Sequence, residues 1–216
     1  HRVPTAAAAL PEAYSRIASW PSQPKAPTAG RFIAAAGVDV EADGTVFVAD
    51  AAAGMVHVLG PDGTGLRLIG RPGSGQGELA APSDVAVDGG LLYVTDTGNQ
   101  RVQVFNAVTG AWVATWPSLG RLHGVAVGEG KVFLSDPEGR RIIVRDLAGA
   151  AVSRWGTGEA VALDLAGPRG LDFRDGRVYI ADTPSTRIVV CGTDGAQLDV
   201  IDRGSNNLEY DGPVDV

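Results

Sequence analysis

Two patterns of chemistry-bearing residues stand out in the chain. The first is a recurring pair: Asp96 and Arg101, Asp136 and Arg141, and Asp182 and Arg187 share one Asp-x4-Arg spacing, and Asp50 begins a fourth copy in which Met55 replaces the arginine. Three arginines repeated in this way could grip an anion. Alternatively, each aspartate accepts hydrogen bonds from the turn it begins and holds its arginine across a strand junction, as Asp does at turn entries. Repetition favours the second reading, because one substrate cannot use equivalent sites all round a ring. Asp50, Asp96, Asp136, Asp182, Arg101, Arg141 and Arg187 are therefore assigned to structure. The second pattern is of residues that break the repeat. Where each unit's first strand begins, the chain reads Ala36, Ser83, His123, Arg169 and Val214. His123, titrating near neutrality, and the permanently charged Arg169 together suit a carboxylate or phosphate. With Ser83 they are the candidate ligand-binding residues.

Other chemistries find little material. The chain has three histidines, and neither His1 nor His57 offers His123 an evident imidazole partner, so no zinc site is expected. No Gly-x-Ser-x-Gly elbow and no nucleophile–base set can be assembled. Gly70 to Glu78 is glycine-rich but precedes a strand, so it reads as an inter-unit loop rather than a phosphate cradle. Asp39, Asp84, Asp172 and Asp215 could meet near an axis, yet they lack the dense spacing of a calcium loop. Cys191 is the single cysteine, which excludes an internal disulfide, and it reads as a small buried hydrophobe. No catalytic residue, metal or cofactor is expected.

The elements that position these residues emerge from self-similarity. The aspartates at 50, 96, 136 and 182 each end an apolar run, Val46 to Asp50, Leu91 to Asp96, Lys131 to Asp136 and Arg177 to Asp182. Each is preceded by a first strand and followed by a polar turn, a third strand, a glycine turn and a fourth strand ending at Ile69, Trp116, Trp155 or Ile201. A period of forty-odd residues holding four short strands is one propeller blade. The chain is expected to be all-β, a β-propeller with blades over 29–71, 72–116, 117–156 and 157–203. Tyr14 to Pro21 resembles the outermost strand Ala111 to Pro117, so 14–21 is expected to close the last blade and 1–13 to be a tether. The competing reading is a short helix from Pro11 to Ala18, which Pro at its first position and Glu12-Ala13 favour. Gly212 to Val216 resembles the start of an innermost strand, so 204–216 is expected to begin a fifth blade.

Composition agrees. The 216 residues carry 18 Lys+Arg against 25 Asp+Glu, a net charge of −7, with 44% apolar residues and 30 glycines. This is a globular composition rich in turn formers. The acidic balance opposes nucleic-acid binding, and no run reaches the roughly 18 apolar residues of a membrane helix. Arginine outnumbers lysine 16 to 2, which suits a bacterial genome rich in G and C. The start at His1, with the Ala6 to Ala9 run behind it, reads as the remnant of a removed signal peptide or anchor, hence an extracellular or membrane-associated location.

Pro82-Ser83-Asp84-Val85-Ala86-Val87-Asp88, with Leu92-Tyr93-Val94-Thr95-Asp96-Thr97-Gly98-Asn99-Gln100-Arg101-Val102-Gln103-Val104-Phe105, resembles an NHL repeat. The unit around Tyr179 to Ile188 is nearly as close, whereas Met55 and Pro137-Glu138-Gly139 depart from the pattern. The resemblance, over about 29–216, implies a six-bladed propeller. The family holds interaction modules, RNA-binding domains and enzymes such as peptidyl-hydroxyglycine amidating lyase, so it implies fold better than function. The expectation is a non-catalytic scaffold or protein-interaction module, with a small anion at the axis as a further ligand. The alternative is an axial-pocket lyase or hydrolase, metal-assisted or using His123 with Arg169.

Overall fold

The computed structural model describes residues 29–117 and 119–202. The expected strand at 14–21, Val214, Asp215 and the start of a further blade at 204–216 lie outside the described residues. Runs of β-branched and aromatic residues separated by Gly and Asp turns fold into four antiparallel sheets, each with its strands in chain order. The first holds β1 (Ala35–Val40), β2 (Val46–Asp50), β3 (Met55–Leu59) and β4 (Gly65–Ile69). A short parallel pair, β5 (Arg71–Pro72) with β6 (Glu78–Leu79), leads to the second: β7 (Asp84–Asp88), β8 (Leu91–Asp96), β9 (Arg101–Asn106) and β10 (Trp112–Trp116). The third holds β11 (Val125–Gly128), β12 (Lys131–Asp136), β13 (Arg141–Asp146) and β14 (Ala151–Gly156). The fourth holds β15 (Pro168–Arg174), β16 (Arg177–Asp182), β17 (Arg187–Gly192) and β18 (Gln197–Ile201). Helix among the described residues is confined to single turns at Thr97–Asn99 and Thr183–Ser185.

The first strands β1, β7, β11 and β15 lie beside one another. Each sheet therefore turns one unpaired edge to a common axis, the arrangement of propeller blades. The core lies between neighbouring blades rather than within any one of them. Phe47, Val56 and Ile69 meet Val85, Val94 and Phe105; Tyr93, Val104 and Trp116 meet Val125, Leu134 and Ile143; Phe133, Ile142 and Trp155 meet Leu171, Ile180 and Val189. This explains why strands such as β2 are buried along their whole length instead of alternating. The outer-strand tryptophans divide accordingly. Trp116 packs on Tyr93 and Trp155 on Phe133, while Trp112 stays partly exposed.

The four aspartates hold one register. Asp50 opposes Met55, Asp96 opposes Arg101, Asp136 opposes Arg141 and Asp182 opposes Arg187, each at the end of its second strand. Four residues after each aspartate the backbone enters the left-handed region, at Gly54, Gln100, Arg140 and Thr186. Two glycines let the first strands close on the axis. A side chain on Gly37 would run into the Asp84 carboxylate, and one on Gly124 into the Arg169 carbonyl.

Candidate functional site at the axial mouth

The repeated residues are consumed by the scaffold. The Asp96 carboxylate accepts from Ala80 N (2.7 Å), Asn99 Nδ2 (2.8 Å) and Arg101 Nε (2.6 Å). Arg101 in turn donates to the carbonyls of Ser74, Gly75 and Glu78, pinning the glycine-rich loop that enters the second blade. Asp182 receives Ala166 N, Gly167 N and Arg187 Nε in the same way, and Arg187 also reaches the Asp164 carbonyl. Asp136 receives only Gly139 N and Arg141 Nε, Arg141 being shared with Glu159. None of the three arginines is free to form an anion-gripping ring.

The first blade does this differently. Asp50 accepts from Ile33 N, Ala34 N and Ala53 N, and His57 Nε2 stands 3.4 Å from its Oδ2. His57 Nδ1 accepts from Gly30 N (3.1 Å), which leaves the ring proton on Nε2, facing the carboxylate. Burial would raise the Asp50 carboxyl, but the three N–H donors and His57 outweigh it and hold it below the usual range. Burial holds His57 below the ordinary imidazole value against the pull of Asp50. His57 thus takes the arginine's place, a role that the residue pattern alone did not reveal. The signal was present: Met55 is the one departure in the series, and a strand puts residues 55 and 57 on one face.

Neighbouring blades are stapled near the axis by polar side chains. Asp39 reaches Val87 N (2.7 Å) on the next blade, and Asp84 reaches Val125 N (2.9 Å) on the third. The Ser83 and Thr95 hydroxyls donate to the His123 carbonyl, and the Ser135 hydroxyl donates to that of Arg169. Asp39, Asp84 and Asp172 line one cavity of about 170 Å³ along the axis, walled otherwise by β7, β11 and neighbouring strand residues. Burial raises the Asp39 carboxyl, and the charges of Asp172 and Glu41 add to this against the two N–H donors it accepts. No group of three or more His, Cys, Asp or Glu among the described residues is arranged to hold a metal ion.

The singular residues converge at the end of the axis where the first strands begin. A second cavity, of about 350 Å³, is lined by Ala36, Gly37 and Ala51 of the first blade, by Ala81, Ser83 and Asp84 of the second, by His123 of the third and by Gly170 of the fourth. Arg169, exposed and next in sequence to the lining Gly170, is close enough for its charge to act on His123. Burial, and then Arg169, hold the imidazole below its ordinary value, so it is neutral at pH 7. His123 Nδ1 is buried without a hydrogen-bond partner. Ser83 is not a free hydroxyl, since Thr95, Thr97 and the His123 carbonyl all engage it. The structure therefore brings together His123, Arg169 and Ser83 at one mouth, with Ser83 serving the wall.

Comparison with known proteins agrees with this architecture. Residues 79–105 match the NHL repeat model. A human NHL repeat-containing protein 3 is 35% identical over 81 residues, 36% of this chain and 23% of that protein, and the mouse protein of the same name is 30% identical over 112 residues, 50% and 31%. The matched region thus spans a third or less of these relatives. Among solved structures, a streptogramin B lyase superposes with a TM-score of 0.61 at 14% identity, over 84% of this chain and 57% of that one. A catalytically inactive H270A virginiamycin B lyase from Staphylococcus aureus with quinupristin also gives 0.61, at 12% identity, over 82% and 58%. At such identities the likeness is one of fold. The described residues form four β-propeller blades, and the NHL-repeat match falls on the second of them.

Proposed function

We propose that the chain is a binding module, a rigid propeller that presents its axial mouth and surrounding loops to a protein partner, within an exported or membrane-associated bacterial protein. One observation carries the reading. The residues that repeat are spent on holding the blades, whereas the residues that break the repeat, His123 and Arg169, gather at a mouth built by all four blades. Functional residues borne on loops and strand ends of a fixed scaffold are the usual way such a fold acquires a ligand. The arginine-rich composition supports the bacterial source. Photo-cross-linking in producing cells tests the proposal. A cross-linker at the exposed Glu138, on the mouth face, should capture a partner that Arg169→Glu abolishes, and one at the exposed Glu129, on the opposite face, should not. Equal capture from both faces would refute it.

A second reading is favoured by the neutral imidazole beside a permanent cation, the pairing that a general base and an anion stabiliser use in proton abstraction. The lyases that share the fold make quinupristin a rational first substrate. Turnover that His123→Ala removes and that Arg169→Gln slows would establish this reading over the first.

A further inference from the structure

The mouth is chemically lopsided. The first and second blades supply Ala36, Gly37, Ala51 and Ala81, a cup of methyl groups and backbone, whereas the third blade supplies the His123 imidazole and the fourth Gly170, next to the exposed Arg169. There the His123 imidazole has a buried, unpartnered Nδ1, and the Arg169 guanidinium makes no ion pair or side-chain hydrogen bond with any described residue. The other polar groups of the mouth are occupied. Asp84 accepts from Val85 N and Val125 N, and Ser83 is held by its hydroxyl network. A cavity of about 350 Å³ lies near the small end of ligand pockets and has room for a molecule of amino-acid size.

From this juxtaposition we infer that the mouth binds a small apolar monocarboxylate, its body on the alanine cup and its free acid group against Arg169 and His123; this rests on reading the mouth as the binding site. One guanidinium and one imidazole N–H supply the few donors that a carboxylate's two oxygens accept. A chain with a net charge of −7 disfavours a polyanion, and an apolar cup leaves the outer oxygens of a phosphate without partners. The acid group is either that of a free small acid or the C-terminus of a partner chain.

The test uses the full chain, labelled for NMR, titrated with N-acetylvaline, with N-acetylvalinamide, with inorganic phosphate and with a short peptide ending in valine. N-acetylvaline should shift the His123 ring and the methyls of Ala36, Ala51 and Ala81 saturably, and N-acetylvalinamide should shift neither. Arg169→Gln, at an exposed position, should leave the thermal midpoint unchanged and weaken the acid about tenfold or more, as the loss of a charge-assisted hydrogen bond does. Tighter binding of the peptide than of N-acetylvaline assigns the acid group to a partner's C-terminus, and equal binding assigns it to a free acid. If amide and acid bind alike, or phosphate binds as well as the acid, the carboxylate inference falls while the mouth stands as the binding site. If none of the four shifts these signals, the carboxylate inference falls, and cross-linking from Glu138 against Glu129 decides separately whether the mouth is a binding site.

Discussion

Replacing Asp96 by alanine isolates what the repeated carboxylates do. The substitution strips Ala80 N, Asn99 Nδ2 and Arg101 Nε of their common acceptor. A buried N–H left without a partner costs about 1–3 kcal/mol. Arg101, whose side chain is only 13% exposed, also loses its counter-charge, and breaking a buried pair from one side costs about 3–5 kcal/mol. Its three carbonyl acceptors remain, which offsets part of that second loss. The net destabilisation comes to about 3–5 kcal/mol, larger than the 1–3 kcal/mol that an orphaned turn donor alone would give. Asp136→Ala should cost less, since Asp136 serves one backbone N–H and a more exposed arginine. Urea melts monitored by far-ultraviolet circular dichroism measure both, and Asp96→Ala with Arg101→Met should cost less than the sum of its parts. An Asp96→Ala midpoint equal to the parent's, or an Asp136→Ala cost equal to that of Asp96→Ala, would refute the reasoning.

The same geometry carries three further expectations. His57 and His123 are both held neutral below the ordinary imidazole value, so the unfolded chain binds protons that the folded chain resists. Stability is present above a pH of about 6.5 and falls as the pH drops below it, and thermal melts across that window should be flatter for His57→Gln than for the parent. Thr186 is a β-branched residue at φ +51° where the first blade has Gly54; Thr186→Gly should raise stability by about 1 kcal/mol, and a lower melting temperature would contradict this. Cys191 is fully buried and burial pushes its thiol up to about 12, so a thiol reagent should label it at the rate of unfolding, and immediate labelling of the native protein would count against the packing of the fourth blade.

Much of the fold was legible because a repeat states its own geometry. The spacing of Asp50, Asp96, Asp136 and Asp182 and the glycine turns between strands pointed to four-stranded blades. The approach of His123 and Arg169 was legible as well, since both begin first strands of adjacent units. His57 was not, because a strand partner two residues out of the repeat position looks like an ordinary buried residue until the register is known. The staples from Asp39 to Val87 and from Asp84 to Val125 were hidden for a different reason. A side chain that caps a backbone N–H of the next blade leaves no mark on the residue that receives it. The mouth's small wall residues were equally silent, because Ala36, Ala51 and Ala81 matter only by the space they leave.

The central claim is that repeated residues hold the propeller and singular residues at its mouth bind. Measuring the partner captured from Glu138, per folded molecule, in Arg169→Gln and Arg187→Gln tests it most directly. Arg187 is tied to Asp182 and the Asp164 carbonyl, so its loss should lower the melting temperature and leave capture unchanged, whereas loss of Arg169 should abolish capture and leave the melting temperature where it was. Capture that survives without Arg169, or that falls equally in both variants, would contradict the account.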